Sequence, residues 1–295
     1  MRRIVTRRRG GTGELVLGLA AERNLRWAAV ELTGVAEEAR RRHDLSPVAA
    51  AALGRALAGA VLLQRISARS CRRLIVTVTG DGPLGRVVAE ADHRGDLRGR
   101  VGNPAVEVPR GADGRLTVAA AVGRGHLKVF RELADGSSWE SQVELVTGEI
   151  GVDLAHYLEQ SEQVQSAVLV GVLEGPEGVR AAGGMVVEAL PGASAAALAT
   201  LEANLGALTG VSRLLLAGSV EGLLEAVLRG LEREAAERSE VRFHCSCRRD
   251  VLLPKLVALT AEERAELADE RGLIEAQCAF CGARYHFSSG ELDPQ

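Results

Sequence analysis

Residues 46 to 65 read as one long apolar helix. Ser46 followed by Pro47 supplies an N-cap and a first helical position, and an Ala- and Leu-rich run leads on to about Arg65. So few polar positions predict a helix that is mostly buried. After Cys71 the pattern turns β-branched: Leu74-Ile75-Val76-Thr77-Val78-Thr79 ends at Gly80-Asp81-Gly82. Short runs near 86–90, 97–101, 115–122, 126–131 and 139–146 continue it and predict an antiparallel sheet. Asp153 to Leu158 reads as a short helix, and apolar runs at 167–173 and 179–190 return to the sheet. Pro191-Gly192 closes the pattern.

From 193 the chain is helical again, with Leu198, Leu201, Leu205 and Leu208 on one face. Val220, Leu223, Leu224, Val227, Leu228 and Leu231 then recur at helical spacing and form an apolar stripe. Periodicity alone explains that stripe as a helix packed on the first domain; a binding or switching role needs support from elsewhere. The expected organisation is α+β: a core domain over 1–190 with an antiparallel sheet and helices, a helical linker over 191–238, and a small C-terminal module over 239–295. No internal repeat interrupts this order.

Composition adds limits. With 295 residues and 46% hydrophobic content, the chain can build a real core beside a smaller unit. Its 39 acidic and 36 basic residues give a formal charge of -3, no excess that would recruit nucleic acid or an anionic membrane. The basic start, Arg2, Arg3, Arg7, Arg8 and Arg9, lacks interleaved aromatics and reads as a solvated run. No stretch of 18 uncharged apolar residues and no secretory leader pattern is found, so a soluble, cytoplasmic protein is expected. No Ser/His/Asp set, Walker loop or paired-carboxylate motif stands out, and Gly10-Gly11-Thr12-Gly13 lacks the context of a phosphate loop. The chain is not expected to be an enzyme.

Four of the five cysteines fall between 245 and 281. Cys245-Ser246-Cys247 and Cys278-Ala279-Phe280-Cys281-Gly282 are two close pairs across a foldable segment, the spacing from which tetrahedral sites are assembled. Thiolates suit zinc or iron, four sulfurs close the sphere, and Gly282 permits the positive φ of a tight metal-binding turn. His244 and His286 flank the pairs as possible substitutes, although four cysteines already suffice. Between the pairs Leu252, Leu253, Leu256 and Leu259 are apolar. Thr260 with Glu263 forms a capping box, Gly272 can end its helix, and Leu273–Gln277 and Arg284–Phe287 read as strands. A module of roughly fifty residues needs a staple. The C-x-C pair is unusual for a structural ribbon and invites a redox reading, which spacing alone leaves level with that of a permanent scaffold. A thiol-disulfide oxidoreductase built on Cys278 and Cys281 and a zinc ribbon for nucleic acid, suggested by Arg248 and Arg249, remain open at this point. Cys71 reads as a small buried hydrophobe.

The two cysteine pairs, their loop length and their C-terminal place resemble the heat shock protein 33 family of redox-regulated chaperonins. Gly80-Asp81-Gly82-Pro83-Leu84, Ser161-Glu162-Gln163, and Ala182-Gly183-Gly184 through Leu190-Pro191-Gly192 are similar to further segments of that family, so the resemblance is nearly full length. Arg98-Gly99-Arg100-Val101 and Ser138-Trp139-Glu140-Ser141 depart from its usual pattern. The resemblance implies an ATP-independent holdase that is inactive while one Zn(2+) sits on Cys245, Cys247, Cys278 and Cys281. It implies that oxidation joins Cys245 to Cys247 and Cys278 to Cys281, releases zinc and unfolds the module. The stripe from Val220 to Leu231 would then be exposed to unfolded client proteins, with a homodimer as the active form and neither membrane nor nucleic acid as partner.

Overall fold

The computed structural model describes residues 11–66, 71–111, 114, 116–234 and 236–292. The arginine-rich start, with Gly10 of the glycine run, lies outside them. The chain divides into two compact units, one ending at Phe243 and the other beginning at His244.

The first unit runs β1 (Thr12–Ala20), β2 (Leu25–Glu31), α1 (Thr33–His43), α2 (Pro47–Ile66), β3 (Cys71–Gly80), β4 (Arg86–Asp92) and β5 (Asp96–Val101). It continues with α3 (Val118–Val122), β6 (Gly125–Leu133), β7 (Ser138–Glu144), α4 (Ile150–Tyr157), β8 (Ser166–Gly175) and β9 (Gly178–Ala189). After these come α5 (Ala195–Gly206), α6 (Val211–Leu214), α7 (Glu221–Val227) and β10 (Glu237–Phe243). The strands form one sheet in the order β7-β6-β3-β4-β5-β10-β1-β2-β9-β8. Neighbours pair antiparallel except β5 and β10, which meet in parallel through Asp96/Arg242 and Leu97/Phe243.

The helix α2 begins as its sequence predicts. Ser46 Oγ accepts from the Ala49 amide at 3.3 Å and donates to the Val106 carbonyl at 2.7 Å. Only Pro47, Arg55 and Arg65 escape full burial along it. This helix is long and apolar enough to cross a membrane, yet 89% of its apolar window is covered by the rest of the unit. A Cβ on Gly54 would stand 2.7 Å from Val172 and one on Gly59 2.3 Å from Leu154, so the two glycines let β8 and α4 come close. This face of the sheet, with α1, α2 and α4, holds the larger core cluster.

The opposite side of the sheet is not left wet. Val16, Leu25, Trp27, Ala29, Met185 and Val187 pack there with Leu201, Leu215, Val220, Leu223, Leu224, Val227 and Leu228 as a second cluster. The unit is therefore three-layered, and the segment expected as a linker supplies the third layer. The stripe helix is shorter than its periodicity suggests: α7 stops at Val227, and Gly230 at φ 75° turns the chain. β10 then enters the middle of the sheet, which is why the first unit runs on to Phe243.

One predicted strand is a helix. Residues 118–122 form the short α3 instead of a run of sheet. Its carbonyls hold the Gly80–Leu84 turn: Gly82 donates to Val122 and Leu84 to Ala121, each at 2.9 Å. Arg131 is fully buried on β6. It donates to Tyr157 Oη at 2.8 Å and to Glu162 Oε1 at 2.5 Å, and Tyr157 also donates to Glu162 at 2.9 Å. Glu162, in a single π-helical turn after α4, thus neutralises a charge that burial would otherwise make costly.

The second unit contains α8 (Arg249–Val257), α9 (Ala261–Leu267), β11 (Leu273–Gln277), β12 (Arg284–Ser288) and α10 (Ser289–Leu292). Thr260 and Glu263 make the expected reciprocal capping box on α9. That helix ends at Leu267, before Gly272, whose φ of 73° belongs to the turn into β11. β11 and β12 pair from Leu273/Ser288 to Gln277/Arg284. Among its described residues the core cluster buries Ile274, Phe287 and Leu292, and Cys281 is the one other buried side chain.

Candidate metal centre

The hairpin of β11 and β12 sets the second cysteine pair. Its ladder ends at Gln277/Arg284, and the Cys278 amide donates to the Ala283 carbonyl at 2.8 Å, closing the loop. Inside it the Gly282 amide donates back to the Cys278 carbonyl at 2.8 Å, with Gly282 at φ 69°. A Cβ is strained in that left-handed region, so the glycine after the second cysteine is a geometric requirement. The first pair lies in the irregular segment between His244 and Arg248, just ahead of α8.

These two segments bring Cys245, Cys247, Cys278 and Cys281 together, with all four sulfurs within 4.8 Å of one another. Cys245 Sγ lies 3.8 Å from Cys278 Sγ and Cys247 Sγ 3.2 Å from Cys281 Sγ. All five cysteines of the chain are free thiols. Neither His244 nor His286 belongs to the cluster; His286 Nε2 faces Glu275 at 3.9 Å.

The donor set fits a soft divalent cation. Burial pushes the Cys247 and Cys281 thiols up, and for Cys281 the neighbouring sulfurs of Cys247 and Cys278 add to the rise. Without a cation that environment favours the protonated form of both Cys247 and Cys281. A bound cation reverses that balance, because it makes deprotonation favourable at each ligand. The cluster can therefore hold a metal ion, and its four sulfurs leave no open position of the kind a catalytic ion needs.

One neighbour of the cluster is absent from the sequence reading. Tyr285, expected only as part of a strand, donates from its hydroxyl to the Cys247 carbonyl at 3.0 Å and lies 3.2 Å from the Cys247 sulfur. The contact with Cys247, more than burial, pushes the phenol up to about 12. Alternation along β12 was the available signal: Tyr285 and Phe287 share a face, and Tyr285 stands four residues beyond Cys281.

The other sequence candidates fall in the first unit. Val220, Leu223, Leu224, Val227 and Leu228 are buried in the second core cluster, with Leu231 packed at its margin. Cys71 is 3% exposed, its thiol donates to the Arg73 carbonyl at 3.2 Å, and burial raises its pKa. It is a buried thiol at the start of β3.

Comparison with known proteins follows the same line. The family model described as "Hsp33 protein" matches residues 13–288. A 33 kDa chaperonin from Thermus thermophilus is 47% identical over 291 residues, covering 95% of this chain and 85% of that protein. One from Nostoc punctiforme is 43% identical over 283 residues, covering 95% and 94%. Among solved structures, a 33 kDa chaperonin described as a heat shock protein 33 homolog from Thermotoga maritima superposes with a TM-score of 0.88 at 35% identity, covering 95% of this chain and 96% of that one.

Proposed function

This chain belongs to the Hsp33 family, and on that premise we propose that it is a redox-regulated, ATP-independent holdase whose switch is a zinc ion held by Cys245, Cys247, Cys278 and Cys281. The observation that carries the reading is the four-sulfur cluster inside a unit whose buried apolar cluster, among the described residues, is no more than Ile274, Phe287 and Leu292. Zinc, when bound, supplies folding free energy on the order of 10 kcal/mol to a unit this small.

Oxidation acts on the sulfurs. Two thiolates, one hydrogen peroxide and two protons give one disulfide and two waters, so two peroxides consume all four ligands. Pairing of Cys245 with Cys247 and of Cys278 with Cys281 leaves the site without donors, and the second unit loses its staple. β10 ends at Phe243, two residues before Cys245. Loss of order there reaches the strand whose other end follows the third layer of the first unit. We propose that this layer, with Val220, Leu223, Leu224, Val227, Leu228 and Leu231, then opens and offers apolar surface to unfolded clients. Its burial on the sheet in the described state supports the reading that the reduced form is the inactive one. A homodimer of the oxidised form would enlarge that surface, and a cytoplasmic setting would keep the thiols reduced at rest.

The test uses light scattering from a chemically unfolded client, with zinc and free thiols counted on the same sample. Reduced, zinc-loaded protein is expected to leave aggregation unchanged. Peroxide-treated protein is expected to suppress it after losing its zinc and four thiols together. Equal activity in both forms would sink the switch, and thiol loss with zinc retained would sink its coupling to the metal.

A further inference from the structure

We infer that Tyr285 is a positioning residue of the four-sulfur site: its hydroxyl hydrogen-bonds the Cys247 sulfur, fixes that ligand and slows its oxidation. The inference rests on the reading of the cluster as a zinc thiolate switch.

Proton counting gives the argument. Tyr285 Oη lies 3.0 Å from the Cys247 carbonyl oxygen and 3.2 Å from Cys247 Sγ, and the hydroxyl carries one hydrogen. While Cys247 is a thiol, its S–H can donate to the phenol oxygen as the phenol donates to the carbonyl. A metal-bound thiolate has no proton to give. The sulfur contact then survives only with the phenol as donor, shared between sulfur and carbonyl. The ring is fixed for this task, since it is half-buried against the small core of Ile274 and Phe287, and Ala276 faces it on β11. Cys281 has a comparable partner in the Ala283 amide. For Cys247 the donor is a side chain, and a single substitution can remove it.

A hydrogen bond to a thiolate withdraws electron density from the lone pair that attacks an oxidant. That attack converts thiolate and peroxide into sulfenic acid and hydroxide; a second thiolate then displaces another hydroxide and forms the disulfide. Outer-shell partners of metal ligands typically change metal affinity by about 10- to 100-fold. Tyr285 therefore has leverage on both the resting site and its first oxidation.

The test uses the full-length reduced protein in three forms: the wild type, Tyr285→Phe, and a protein with 3-fluorotyrosine placed at position 285, whose phenol is a stronger donor of nearly the same shape. Zinc affinity is read by chelator competition, peroxide-driven release by a chromogenic chelator, and Cys247 modification by differential alkylation and mass spectrometry. The cobalt-loaded proteins report the thiolate charge-transfer band. Tyr285→Phe is expected to bind zinc about 10-fold more weakly, to shift that band, and to lose zinc and modify Cys247 several-fold faster. The fluorotyrosine protein is expected to release zinc more slowly than wild type. Unchanged affinity, band and release in Tyr285→Phe would overturn the inference. Should Tyr285→Phe fail to fold, absence of slowing in the fluorotyrosine protein overturns it. Failure of the wild type itself to bind zinc overturns the reading of the site beneath it.

Discussion

In the first unit α2 is enclosed by the sheet and its neighbours except at Pro47, Arg55 and Arg65, while among the described residues of the second unit only Ile274, Cys281, Phe287 and Leu292 are buried. The first unit can remove apolar area from water on both faces of a ten-stranded sheet. The second has a two-stranded hairpin, three short helices and four sulfurs. One unit is held by packing, which no oxidant reaches. On the proposed reading, the other rests on ligands that an oxidant consumes. Placing chemistry in the weakly packed unit lets a small covalent change have a large structural effect.

Metal removal makes the sharpest break. A strong chelator should unfold residues 244–292 while α2 and β3 keep their amide protection, at a cost on the order of 10 kcal/mol to the second unit. Hydrogen exchange read by mass spectrometry checks this, and retained protection in β11 and β12 without metal would show that packing suffices there. Core truncation should separate the units next. Leu57→Ala, fully buried on α2, is expected to cost about 2–5 kcal/mol, lowering the denaturation midpoint of the first unit with zinc affinity unchanged. Phe287→Ala should cost about 3–5 kcal/mol and appear instead as weaker zinc binding, because folding and ligation are one equilibrium there.

The smallest effect lies on β8. Burial pushes the Glu174 carboxyl up to about 7 from 4.5, with Arg40 opposing the rise. The folded state holds a proton that the unfolded chain has released between those values. This contribution is full below the unfolded pKa and is lost as pH rises through 7. Allowing for solvent screening of a partly exposed group, Glu174→Gln should gain about 1.5 kcal/mol on wild type at pH 8 and almost nothing at pH 4. Urea titrations at the two pH values measure it, and a constant difference would reassign the shift.

Much of the site was legible because ligand spacing is a local property. Two cysteine pairs, Gly282 and the capping box specify their own turns, and the structure folds those segments as their residues predict. The β1–β2 hairpin was not legible. Its turn places Ala21, Glu22 and Arg23 at positive φ, where glycine or asparagine would have signalled it, and only Asn24 hints at a turn. β10 hid for another reason. It is an interior strand carrying Glu237, Arg238, Glu240 and Arg242, against the apolar habit of such strands. Partners far away in sequence balance the two arginines: Arg242 meets Asp96 at 2.6 Å and Arg238 meets Glu14 at 3.3 Å. Tyr285 needed the hairpin register before its hydroxyl could be placed beside Cys247.

The central seat of β10 also governs when the first unit can be completed. Arg238 and Glu14 are 224 positions apart, yet their strands are hydrogen-bonded neighbours. A ribosome adding about 5–20 residues per second releases β1 long before its partner exists. Until then β1 and β5 are temporary edges, open to pairing with other chains. Contacts of such span also make for slow folding. A protein proposed to shelter unfolded chains thus passes through a nascent stage with unpaired strand edges of its own, the stage at which it would most need another chaperone.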